Sequence, residues 1–162
     1  MALQFNTPPI DEMVILPHGY IFSTMYSVEH LSHTADIRLR LQADSREELF
    51  RAGFEAMMQI IKPEACRKPC PCLLSETLSV RSVDDTALLI DFLSDVLTLC
   101  HEHKAVFCEL VFQELNPGHL QASVGGRPAN GFEEDIKAVT YHEANVRQNE
   151  NGQWETLLIL DI

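Results

Sequence analysis

Basic residues are scarce in this 162-residue sequence. Twelve lysines and arginines stand against 24 aspartates and glutamates, for a formal net charge of −12. A chain of that sign repels phosphate backbones, so direct, stable nucleic-acid binding is not expected. A basic protein partner or a hard cation suits the charge better, although diffuse acidity is also common in plain soluble proteins. No apolar run approaches the ~18 residues of a membrane span. The N-terminus lacks the basic region of a signal peptide, and Pro8, Pro9 and Pro17 interrupt it. A cytoplasmic location without membrane contact is the expectation. Internal repeats and low-complexity segments are absent. So are a nucleophile elbow, a phosphate loop and a helical histidine pair, which removes the usual signatures of a hydrolase.

Cysteine is present in an odd number: Cys66, Cys70, Cys72, Cys100 and Cys108. Without a secretory signal, free thiols are expected rather than a disulfide framework. The spacing Cys66-x3-Cys70-x-Cys72 matches no common zinc motif, and no second ligand pair follows at finger spacing, so structural zinc is not expected.

The hydrophobic share of 46% suffices for one sizeable core in a chain near the usual size of one domain. Residues 1–25 show no sustained periodicity and carry turn formers, and they read as a flexible N-terminal extension. From Tyr26 the patterning sharpens into a domain spanning 26–162. Ile37, Leu39, Leu41 and Ala43 alternate with polar residues, as in a half-buried strand. Ser45-x-x-Glu48 is a capping box for a helix bearing Phe50, Phe54, Met57, Ile60 and Ile61, which Pro63 ends. The Cys/Pro-rich stretch 63–72 is a loop, and Leu74–Arg81 alternates as a strand. A second helix starts at Asp84-Asp85, with Leu88, Leu89, Phe92, Leu93, Val96, Leu97 and Cys100 on its apolar face. Strands follow: one around Val106–Phe112, one around Leu120–Val124 that Gly125-Gly126 breaks, one over 136–147, and a last one at Trp154–Ile162. This order predicts an α+β fold with two main helices packed against largely antiparallel sheet.

Three places could carry chemistry. Leu157–Leu160 is apolar on both faces, as in a strand buried on both sides, and it ends in Asp161 and the free carboxylate of Ile162. Two anionic groups so placed either take a hard, oxygen-seeking cation or protrude into water. In His33-Thr34-Ala35-Asp36, Asp36 is a further oxygen donor or a turn residue, and His33 a base, an orienting group or a surface histidine. In Ile136-Lys137-Ala138-Val139-Thr140-Tyr141-His142, Lys137 is a functional cation or a solvated edge charge.

Taken together, the His33–Ile37 segment, the Ile136–His142 segment and the terminal Leu160-Asp161-Ile162 resemble the archease family over roughly residues 26–162. The resemblance implies an archease-like α+β fold and a metal site, usually Ca²⁺ with Mg²⁺ or another divalent ion as the alternative. Its ligands would be Asp36, Asp161 and Ile162. It implies functional weight for Lys137, accompanied by His33 and His142. It further implies a non-enzymatic activator that promotes guanylylation and multiple turnover of an RtcB-type RNA ligase in tRNA splicing or RNA repair. The alternatives are a small metal-dependent hydrolase and a chaperone-like protein responding to redox through Cys66, Cys70 and Cys72. Ser32 departs from the family, which often carries an acidic residue before the histidine. The N-terminal extension and the Cys-Pro loop are not family features.

Overall fold

The computed structural model describes residues 26–31, 36–67 and 72–162. The proposed N-terminal extension, His33 and Cys70 lie outside these residues. The alternation that marks half-buried strands appears at Tyr26–Leu31 (β1) and Asp36–Ala43 (β2), which pair antiparallel. The first helix, α1 (Arg46–Ile61), begins at the expected capping box: the Ser45 hydroxyl accepts from the Glu48 N–H, and the Glu48 carboxylate accepts from the Ser45 N–H. Then come β3 (Leu74–Arg81), α2 (Asp85–His103, capped by the Asp84 side chain), β4 (Ala105–Asn116) and β5 (His119–Pro128). The chain ends with β6 (Ala138–Thr140), β7 (Arg147–Gln148) and β8 (Trp154–Asp161).

Two antiparallel sheets result. One has the order β1-β2-β8-β6, with β7 also paired to β8; the other has the order β3-β5-β4. Helix α1 touches β1, β2 and β8 of the first sheet and β4 of the second, while α2 touches β6 of the first and β3, β4 and β5 of the second. The helices thereby join both sheets into one apolar core. Phe50, Phe54 and Phe92 lie at its centre, with ring centroids 6.4 and 6.5 Å apart across the helix pair. Such aromatic pairs add about 0.5–1.5 kcal/mol beyond the area they bury. The apolar run in β8 is buried as expected: Leu158, Ile159 and Leu160 are nearly inaccessible, because β8 lies between β2 and β6.

Three expectations fail. Residues 136–147 are not one strand. Ile136 and Val139, three apart rather than two, both turn inward, and the chain bends after Thr140, with Glu143 at φ 56° and the Ala144 N–H donating to the Tyr141 carbonyl. Gly125-Gly126 does not break β5, which runs on to Pro128. At Gly126 a Cβ would fall 2.4 Å from the Val106 carbonyl oxygen, so glycine serves close approach between strands rather than a turn. Finally, Cys66 and Cys108 are not free thiols but form a disulfide spanning 42 residues. Cys108 falls where the β4–β5 register shifts, and Cys66 sits in the turn after α1. Only the return of β4 beneath that turn brings them together, which spacing along the chain does not encode. Cys100 is buried, and burial pushes its thiol up to about 12.

Candidate functional site

The strand register sets the site. Asp36, the first residue of β2, lies directly opposite Asp161, the last of β8. On the other side of β8, Ala138 of β6 lies opposite the same Asp161. Residues directly opposed in an antiparallel pair project from the same face with Cβ atoms about 4.5–5.5 Å apart. The two carboxylates therefore share a face at the end of the central strand, with Asp161 exposed and Asp36 half-buried. The Lys137 backbone N–H donates to the Asp161 carbonyl at 2.8 Å, which ties the lysine to the same corner. The Lys137 side chain is exposed. Ile162 follows at once, and its side chain packs against the core.

Not every expected residue joins this corner. β6 runs from Ala138, opposite Asp161, to Thr140, opposite Ile159, so the chain is heading away from the carboxylates when it reaches His142. His142 is exposed and lies 3.2 Å from a Glu143 oxygen.

The polar groups that the register brings to this corner are oxygens, the carboxylates of Asp36 and Asp161. That chemistry fits a hard cation such as Ca²⁺ and not a soft one. Among the described residues no three His, Cys, Asp or Glu side chains converge as a metal cluster.

The same face of the sheet continues into an open groove of about 400 Å³ lined by Leu31, Arg38, Arg40, Asn145, Arg147 and Leu157, with Glu143 and Glu155 at its sides. Its arginines are paired: Arg38 with Glu143 at 2.6 Å, Arg40 with Glu29 at 3.1 Å, and Arg147 with Glu155 at 3.0 Å. A hydrogen bond from Gln42, reinforced by Arg147, holds the Glu155 carboxyl below its ordinary range. The alternation of Arg38 and Arg40 marked them as an outward face; their partners, far along the chain, left no signal in the sequence. A second contact was equally silent. The Tyr141 hydroxyl donates to Asp91 of α2, which also accepts from the Ser82 hydroxyl at 2.5 Å. That bond to Asp91 raises the Tyr141 phenol above its usual value.

Fold and corner together define a small α+β protein with two opposed carboxylates at the end of a central β-strand. A family model described as the archease protein family (MTH1598/TM1083) matches residues 28–162. The chain belongs to the archease family. It is 28% identical over 142 residues to protein archease of Methanosarcina barkeri, covering 83% of this chain and 94% of that one. With the Pyrococcus abyssi archease it shares 30% over 145 residues, covering 83% and 97%. Two solved structures share the fold. The solution structure of Methanobacterium thermoautotrophicum protein 1598 matches with a TM-score of 0.63 at 23% identity, covering 85% of this chain and 98% of that one. The crystal structure of a Thermotoga maritima archease, described as a possible chaperone, matches with a TM-score of 0.57 at 15% identity, covering 82% and 94%. Among the described residues no helix is long and apolar enough to cross a membrane.

Proposed function

We propose that this protein is a non-enzymatic, cytoplasmic activator of an RtcB-type RNA ligase, acting in tRNA splicing or RNA repair through the corner formed by Asp36, Asp161, Ile162 and Lys137. The observation that carries this reading is the register: three segments far apart in sequence place two carboxylates, the chain terminus and a lysine at the end of one strand. Membership of the archease family supports it.

Asp36, Asp161 and the Ile162 carboxylate would hold a divalent cation, Ca²⁺ first. Once bound, the ion would neutralise these carboxylates and offer positive charge towards an incoming phosphate. The chain's own residues do the positioning. The exposed Lys137 side chain is free to meet a phosphate while its backbone stays fixed to β8, and the inward side chains of Ile136 and Val139 on either side hold that backbone in place. Groups aimed in advance at developing charge lower a barrier without reorganising, the main lever in phosphoryl and nucleotidyl transfer.

The test is turnover of the cognate ligase with and without the purified chain. Wild type should raise the number of ligations per ligase molecule and should neither cleave nor join RNA alone. Lys137→Ala should abolish the gain with unchanged thermal stability. Lys137→Arg should lose much of it, because a planar guanidinium does not replace a compact ammonium. Absence of any effect of the wild type on the ligase would refute the assignment; full activity of both variants would refute the role of Lys137.

A further inference from the structure

The segment carrying Lys137 runs antiparallel alongside α2. At one end the His101 ring nitrogen lies 3.0 Å from the Ile136 carbonyl; at the other the Tyr141 hydroxyl bonds to Asp91. This seam has an unusual surface. Among the described residues four large hydrophobic side chains stand exposed; of these Tyr141, at 58%, bonds to Asp91, and Val83, at 94%, adjoins Ser82, which bonds to the same carboxylate. Val83 precedes the N-cap of α2, next to Ser82, which shares Asp91 with Tyr141. One turn further along α2 lies Asp95, exposed at i+4 from Asp91. Like charges at that spacing oppose each other on a helix.

We propose that Val83, Tyr141, Asp91 and Asp95 form a docking surface for a basic protein partner that carries an apolar pocket. This rests on the activator reading above and assigns the surface by which the ligase is held, beside the corner that acts on it. Three observations fit that occupant, and the first two exclude an acidic one. First, Asp91 accepts from the neutral hydroxyls of Ser82 and Tyr141, and among the described residues no lysine or arginine forms a salt bridge with it or with Asp95, so a cationic surface would complete the pair. Second, Asp95 is held above the ordinary carboxyl range by partial desolvation and by Asp91, a tension that an incoming cation relieves. Third, the Asp91 bond fixes the Tyr141 ring in advance, and a preordered aromatic anchor loses little freedom on binding. The Tyr141 anchor is four residues from Lys137, about 13 Å along an extended chain, so a partner seated here with an interface of ordinary size extends to Lys137.

The experiment is calorimetric binding of the full chain to a purified RtcB-type ligase at two salt concentrations. Wild type should bind, and more weakly at high salt. Asp95→Lys should weaken binding by about tenfold or more, and Val83→Ser by about fivefold, as expected for a charge and an apolar contact within an interface. Both positions are exposed, so Val83→Ser should unfold at the wild-type temperature and Asp95→Lys at that temperature or above it, as the repulsion from Asp91 is lost. Leu73→Ser, which removes an exposed side chain at the opposite end of β3 from Val83, should bind as wild type does. Binding by the wild type that Asp95→Lys and Val83→Ser both retain would overturn the docking surface and leave the activator reading standing. No binding by the wild type at either salt would overturn both.

Discussion

Adding Ca²⁺ to chelator-treated protein probes the carboxylate corner without any partner. Asp36 and Asp161 are directly opposed, which sets their side chains about 5 Å apart. Two unit charges at that distance repel by about 0.8 kcal/mol in a water-like medium, the value suited to the exposed Asp161, and salt reduces it further. A cation that both aspartates and the Ile162 carboxylate share reverses the sign. At a hundred times its dissociation constant it stabilises the fold by about 2.7 kcal/mol. For a domain of this size that is a rise in Tm of about 5–10 °C. Asp161→Asn should change the protein in two opposite ways. Without metal its Tm should rise by about 2 °C, as the repulsion is lost. With metal its response should be flat. Amidation of the C-terminus should also shrink the response while leaving the Asp36–Asp161 repulsion intact. Differential scanning calorimetry across a Ca²⁺ series reads all of these. An equal calcium-induced rise in wild type and Asp161→Asn would refute the assignment of the site, as would a wild type indifferent to millimolar calcium.

Cys66→Ser opens a loop of 42 residues, and chain-entropy reasoning puts the loss at about 4 kcal/mol as an upper value; urea unfolding of wild type with and without a dithiol should show the same difference, and reductant should not shift the variant. Gly126→Ala drives a methyl into the Val106 carbonyl and the Phe107 ring, and should cost about 1–3 kcal/mol by denaturant titration; a neutral result would mean that β4 and β5 separate easily. Asp95 has a raised carboxyl pKa, so the folded protein keeps that proton to higher pH than the unfolded chain does. Stability therefore falls as pH rises through that window and stays lower above it. Asp95→Asn should be the more stable protein at neutral pH, with the gap closing below about pH 4 in thermal scans; a gap that widens on acidification would contradict the sign.

The elements legible in the sequence were those with local causes. The capping box at Ser45 and Glu48, the apolar faces of both helices and the alternation in β2 and β3 all depend on residues within a turn or two of one another. The buried run before Asp161 also announced itself, because only a central strand is apolar on both faces. Where a local pattern misled, long-range packing had overridden it. Gly125-Gly126 looks like a break until β4 lies against it, and 136–147 looks like a strand until α2 captures Tyr141.

By itself the sequence determined the fold class and the helix limits, since composition and periodicity are properties of the chain, and its three motifs pointed to the family. Tertiary structure alone decided which donors meet. Asp36 faces Asp161 through the pairing of β2 with β8, over a separation of 125 positions that no local rule spans. It also decided that His142 is carried away from that corner, that Cys66 finds Cys108, and that Asp91 reaches Tyr141. The physical reason is the same in each case: side-chain type fixes what a group can do, but register and packing fix what it touches.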